Sequence, residues 1–335
     1  MKALILNRYG RADQIAFADI ARPTPKPDEI LVLVHAAGLN PIDYMIPKGT
    51  FKPIIRLRLP ATLGCDVAGV VMEVGSRVTR FRPGDAVFAS VFDRGNGAFA
   101  EYVAVSENAA ALKPDNLDFV QAASIPMVGL TSWQALKGRM NLKPGQKVFI
   151  PAGSGGIGTF AIQLAKHLGA KVATTTSTGN VDLVRSLGAD EVIDYKKLEF
   201  EKVLSDYDAV LGAVRGDVLE KSLRILKPKS KIVSLVGPPD AAFARARGMN
   251  FFMVFVFWML SRGMIRRATK RGVEYSFLFM HPDGSQLAEI GELLKAGNIR
   301  PVIDKTFPFD QAKEALAYLE KGRAKGKVVV QMNPQ

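Results

Sequence analysis

A chain of 335 residues with 48% hydrophobic and 23% charged residues has room for about two domains and the composition of a globular protein, which excludes a small module, wholesale disorder and a polytopic membrane protein. Its single cysteine, Cys65, excludes an internal disulfide and a multi-thiolate zinc site. The net charge of +13 permits contact with nucleic acid or an anionic membrane, so its distribution along the chain decides what it means.

From the N-terminus, Met1–Arg8 has too short an apolar run for a signal peptide, and a cytoplasmic protein is expected. The first 120 residues then read as short strands punctuated by Gly and Pro: Ala3 to Leu6, Ile30 to Ala37, Asp66 to Val74, Ala86 to Ala89 and Phe99 to Val103. Past Gln121 the pattern becomes apolar strands alternating with helical stretches of about 10 to 15 residues, the signature of βαβ units and a parallel sheet buried on both faces. The strands are expected at Lys147 to Ile150, Val172 to Thr175, Val192 to Ile193, Ala209 to Leu211 and Ile232 to Val236. Helices are expected at Ile157 to Leu168, Leu183 to Leu187 and Leu219 to Leu226. A helix (Gln286 to Ala296), an extended stretch (Arg300 to Phe307), a helix (Asp310 to Lys321) and a strand (Lys327 to Met332) complete the chain.

Between the first of those strands and its helix, Gly153-Ser154-Gly155-Gly156-Ile157-Gly158 forms G-x-G-x-x-G. In that context the first glycine turns the chain and the second lets backbone approach a pyrophosphate. The third allows close helix-to-strand packing, and the helix N-terminus offers unpaired N–H groups to the phosphates. An NAD site usually places a carboxylate on the ribose roughly 20 residues further on. Here the second strand ends in Thr175-Thr176-Ser177-Thr178-Gly179-Asn180, hydroxyl-rich and without a carboxylate to repel a 2′-phosphate, which favours NADP(H) over NAD(H).

Taken together, these features resemble the medium-chain dehydrogenase/reductase superfamily, in its zinc-independent quinone oxidoreductase and alkenal/enone reductase branch. The likeness rests on Ala37-Gly38-Leu39-Asn40-Pro41-Ile42-Asp43, Gly64-Cys65-Asp66-Val67-Ala68-Gly69, Pro83-Gly84-Asp85, Gly97-Ala98-Phe99-Ala100-Glu101-Tyr102, the glycine loop, Ser186-Leu187-Gly188-Ala189-Asp190 and Gly326-Lys327-Val328-Val329-Val330. The resemblance implies an α/β fold: a GroES-like β-domain from residues 1–123 and 284–335, and a Rossmann doubly wound parallel sheet domain at 124–283, with the active site in the cleft between them. It also implies NADPH as cofactor, a homodimer, and a quinone or the activated C=C bond of an α,β-unsaturated carbonyl as substrate.

The places that hold catalytic zinc in zinc alcohol dehydrogenases look like Asn40, Cys65 and Met127 here, an amide, a thiol and a thioether that do not make an ordinary Zn²⁺ site. No metal is therefore expected. His35, His167 and His281 are scattered and read as structural or surface residues, and Cys65 as a small buried residue. With no Lewis acid to hold an alkoxide, reduction of an electrophile is favoured over alcohol oxidation. The family loop places Asn40 and Tyr44 as catalytic candidates. Asn40 can donate an N–H, and Tyr44 either donates a proton or only walls the cleft. Thr131 matches the residue facing the nicotinamide side, and Ser177 and Tyr195 match positions around the adenosine 2′-phosphate and adenine. The alternative reading is a non-catalytic NADPH-binding or interaction protein of the same fold.

One segment stands outside that pattern. Ten apolar residues, Phe251 to Leu260, are followed by Arg262, Arg266, Arg267, Lys270 and Arg271. With Arg245 and Arg247 they give the stretch 241–275 seven cations against Glu274 alone, a local charge of +6. Ten apolar residues are too few to span a bilayer. The segment reads as a helix covering the cleft or a subunit interface, or as a peripheral membrane contact through 251–271; no nucleic-acid motif accompanies the charge.

Overall fold

The computed structural model describes residues 1–10, 14–52, 54–55, 57–93 and 97–332. The chain divides into two compact units, Met1–Leu130 with His281–Gln335, and Thr131–Met280. Their boundaries lie a few residues from those expected.

In chain order the first unit begins with β1 (Lys2–Leu6), β2 (Ile15–Asp19), β3 (Glu29–Leu39), α1 (Pro41–Met45), β4 (Ala61–Thr62), β5 (Asp66–Val74), β6 (Ala86–Ser90), β7 (Tyr102–Ser106), β8 (Ala110–Leu112) and α2 (Phe119–Ala123), and α3 (Pro126–Trp133) leads out of it. The strand read at Phe99 to Val103 is displaced. Phe99 and Ala100 instead bond to Leu63, Leu4 and Ala3, and regular pairing with β3 starts only at Tyr102.

The second unit holds β9 (Lys147–Ile150), α4 (Gly156–His167), β10 (Lys171–Thr176), α5 (Val181–Ser186), β11 (Glu191–Asp194), β12 (Tyr207–Gly212), α6 (Val218–Ser222), β13 (Leu226–Ser234), α7 (Ala241–Ala246), α8 (Phe251–Lys270) and β14 (Glu274–Phe277). All pairs are parallel, in the order β11-β10-β9-β12-β13-β14. Counted from β9 this is 3-2-1-4-5-6, the doubly wound arrangement, with Phe149, Val210, Ile232 and Met264 in its core. One helix is shorter than expected. α6 stops at Ser222 and the chain is already extended at Leu226, because Pro228 lacks the N–H a helix needs and restricts the residue before it.

The chain then returns to the first unit with α9 (Gly284–Lys295), β15 (Ile303–Pro308), α10 (Ala312–Glu320) and β16 (Lys327–Gln331). Its large sheet runs β15-β16-β3-β5-β6-β8 with β7 also on β3, and a small sheet runs β2-β1-β4. Register brings Val328 opposite Leu39, and Asp66 opposite Gly38. Three distant stretches of sequence therefore meet at the end of β3.

Candidate active site

In the second unit, β9 runs through Pro151 to Gly155 and into α4. The three glycines divide their tasks differently from the expectation. The left-handed conformation falls on Ala152, with φ of 56°, and Gly153 has no positive φ. Gly153 is needed for close approach instead: a Cβ there would lie 2.2 Å from Thr174 Oγ1 and 2.9 Å from Ile162 Cδ1. At Gly158 a Cβ would meet Ala152 O at 2.4 Å, so this glycine seats the helix on the loop. Gly155 is unlike both, since the nearest atom to a Cβ there is Ala152 O at 3.4 Å, an ordinary contact. The protein itself does not use that space. An open backbone cradle, beside first-turn N–H groups that lack intrahelical partners, fits a dinucleotide pyrophosphate.

At the end of β10, Thr175 is buried and turned inward, its Oγ1 accepting a hydrogen bond from Ala152 N (3.1 Å). That bond ties the end of β10 to the glycine loop. Ser154 Oγ accepts from Thr176 Oγ1 (2.9 Å) and from Asn180 Nδ2 (3.2 Å), and Asn180 Nδ2 also reaches Ser177 Oγ (3.2 Å). With both lone pairs of Ser154 occupied, its own proton points elsewhere and suits a phosphate oxygen. Tyr195 stands exposed past β11. Beside it, Asp194 accepts from Thr178 Oγ1 (2.6 Å) and from Lys196 N (3.0 Å), bonds that hold its pKa below the usual carboxylate range.

In the first unit, Asn40 caps α1 while its side chain joins a buried network. Asn40 Nδ2 donates to Asp66 Oδ2 (2.9 Å), and Lys327 Nζ donates to Asn40 Oδ1 (2.5 Å) and Leu39 O (2.8 Å) while lying 3.6 Å from Asp66 Oδ2. Met127 N donates to Asp66 Oδ1 (3.0 Å). Burial works against both charged forms, pushing Asp66 up and Lys327 down, while each ion and its hydrogen bonds oppose the shift in the other. The Asn40 amide is thus engaged in this network, its NH₂ group donating to Asp66 Oδ2 and, at 3.5 Å, reaching Gly38 O. A zinc ion does not fit the same place, because the Lys327 ammonium already supplies the cation there, and among the described residues no group of three His, Cys, Asp or Glu side chains can hold a metal. Burial also pushes the Cys65 thiol well up, which keeps it protonated and small, and His35 stacks on Phe119 at 4.2 Å.

Tyr44 is half-buried against the same core, with Lys48 Nζ 5.7 Å from its ring centre. Among the described residues no hydrogen bond joins its hydroxyl to the network. Asp43 is almost fully buried: Oδ2 accepts from Asn40 N (2.7 Å), and among the described residues Oδ1 has no hydrogen-bond partner. It lines a cavity of about 30 Å³ with Thr62, Cys65 and Asp93, large enough for a water. Burial, partly offset by the Cys65 thiol and Asn40 N, pushes Asp43 up to about 7.

A carboxyl whose pKa is raised on folding favours the native state only while protonated. Its cost grows as pH rises from about 4 towards 7 and is complete above that. Asp43→Asn keeps the acceptor for Asn40 N and removes the titration. Its melting temperature is expected to match wild type near pH 4 and exceed it by roughly 5 °C at pH 8. A constant difference across that range, measured by thermal unfolding, would mean that Asp43 is ionised throughout.

The family described as "Alcohol dehydrogenase GroES-like domain" matches residues 26–115, and that described as "Zinc-binding dehydrogenase" matches residues 187–330. The mitochondrial NAD(P)H oxidoreductase RTN4IP1 of Danio rerio is 38% identical, over 98% of this chain and 91% of its own. An NADPH-dependent alkenal/one oxidoreductase of Arabidopsis thaliana, named as chloroplastic, is 36% identical over 98% of this chain and 79% of its own. Among solved structures, the quinone oxidoreductase from Coxiella burnetii superposes with a TM-score of 0.85 at 31% identity, covering 99% of both chains. The chain belongs to the medium-chain dehydrogenase/reductase superfamily, in the branch of quinone oxidoreductases and alkenal/enone reductases.

Proposed function

We propose that this protein is an NADPH-dependent oxidoreductase that reduces quinones or the activated C=C bond of α,β-unsaturated carbonyls, without zinc. The observation that carries the reading is the near full-length likeness to an NADPH-dependent alkenal/one oxidoreductase. The open cradle at Gly155 supports it independently. NADPH, when bound, supplies the hydride.

The Gly155 backbone and the first turn of α4, through Gly156, Ile157 and Gly158, would hold the pyrophosphate. Ser154 and Ser177, braced by Asn180, would face the 2′-phosphate, with Tyr195 beside the adenine and Thr131 towards the nicotinamide. Quinones and enones delocalise their developing charge onto oxygen, so the protein's remaining tasks are to position the acceptor, exclude bulk water and supply a proton. Asn40 acts by holding Asp66 and Lys327 in place. Tyr44 is the candidate donor to the acceptor oxygen, in competition with water.

The test is NADPH oxidation against a panel of quinones and enones with product analysis, run on wild type and on Tyr44→Phe. Turnover with at least one class is expected, and binding of NADPH without turnover on the whole panel would overturn the reading. General-acid assistance is worth about 10²- to 10⁴-fold, and the expected loss for Tyr44→Phe in single turnover lies near the lower end because water partly substitutes. A change within about threefold would leave Tyr44 as a wall residue.

A further inference from the structure

Helix α8 is 20 residues long, about 30 Å. A single seam anchors it: Phe257, Ser261, Met264 and Ala268, spaced four, three and four apart, are buried, and Phe257 meets Phe243 edge-on at 5.9 Å. The opposite stripe is exposed and changes character halfway along. Its first turns carry Phe251 (86% exposed), Phe252 (68%), Phe255 (48%) and Met259 (50%), and its later turns carry Arg262, Arg266 and Lys270. Trp258 flanks the stripe, 5.7 Å from the Phe255 ring and with Arg262 5.3 Å over its own. Nearby, Glu220 pairs with Arg267 at 2.6 Å, and among the described residues no ion pair answers Arg262, Arg266 or Lys270.

Exposed apolar side chains scattered singly are ordinary, whereas a contiguous patch marks a docking surface. We propose that this stripe docks the protein on an anionic phospholipid bilayer, the aromatic turns dipping below the phosphates that Arg262, Arg266 and Lys270 hold. Charge complementarity selects that occupant. A second copy of the chain would bring the same +6 segment to the contact, whereas an anionic bilayer offers hydrocarbon and negative phosphate within a few ångströms of depth. Arg262 lies about 16 Å along the axis from Phe251, so a tilted helix puts its tip in the acyl boundary and its cations among the headgroups. Among the described residues no helix is long and apolar enough to cross a membrane, so the contact is peripheral. It does not depend on the reductase reading, because lipid is recognised without cofactor or substrate.

The test is co-sedimentation of the full chain, without NADPH, with phosphatidylcholine vesicles and with vesicles doped with phosphatidylglycerol. Binding is expected only to the doped vesicles, weakening with salt and accompanied by a blue shift in tryptophan emission. Trp133 is already buried, so that shift reports Trp258. The triple variant Phe251→Ser, Phe255→Ser, Trp258→Ser is expected to partition at least about tenfold less, and Arg266→Glu with Lys270→Glu to lose the preference for anionic lipid. Both should keep the wild-type melting temperature and NADPH oxidation rate with a water-soluble acceptor. Three results would overturn the proposal: no sedimentation of wild type, equal binding by the aromatic variant, or a wild-type dimer that binds no vesicles and that the aromatic variant turns into monomers.

Discussion

Gly155→Val is expected to weaken NADPH binding by about 100-fold or more, equivalent to about 2.7 kcal/mol, while the protein stays folded. The two halves of this expectation rest on one measurement of space. A Cβ at residue 155 meets only Ala152 O, at 3.4 Å, and the backbone there (φ −81°, ψ 173°) is extended and open to valine. The side chain would therefore project where backbone must approach the pyrophosphate. Gly153→Ala supplies the contrast, because its methyl would lie 2.2 Å from Thr174 Oγ1, and it should fail through lost stability. Titration of cofactor fluorescence and thermal unfolding on both variants separate the outcomes. Unchanged NADPH affinity in folded Gly155→Val would mean that this loop does not carry the pyrophosphate.

Lys327→Met is expected to cost the first unit about 3 to 5 kcal/mol at pH 8, the usual consequence of removing one member of a buried ion pair. The ammonium is nearly inaccessible and touches Asn40 Oδ1, Leu39 O and Asp66, so methionine leaves two acceptors without a donor and a carboxylate without its cation. Adding Asp66→Asn should recover a large part of the loss, because the remaining charge is then gone. The deficit should also shrink in acid, where Asp66, already pushed up by burial, takes a proton. Additive losses in a urea-denaturation cycle would show that the two residues do not act as a pair.

Much of the fold was legible because its signals are local. The run from Lys147 to Ile150, the glycine loop and the strand at Asp66 to Val74 each carry their period and their turn residues within a few positions. The end of the α6 segment was misread because leucine and isoleucine spacing continued past Ser222, and Pro228 outweighed it. The bond from Ala152 N to Thr175 was not legible, because sequence shows a hydroxyl but not where it points. The Asn40–Asp66–Lys327 network was hidden for a different reason. Its members lie 26 and 287 residues from Asn40, and only strand register brings them together.

That long separation also orders the assembly of the chain on the ribosome. Thr131–Met280 is continuous and carries its own six-stranded sheet, so it can fold as soon as it emerges. The first unit cannot finish in the same way, because the edge of β3 that pairs with β16 stays bare and Asp66 stays without its ammonium until Lys327 to Gln331 have been made. Translation thus leaves an unpaired strand edge waiting through some 290 residues of synthesis, and the closing step is the zipping of a late strand onto an early one.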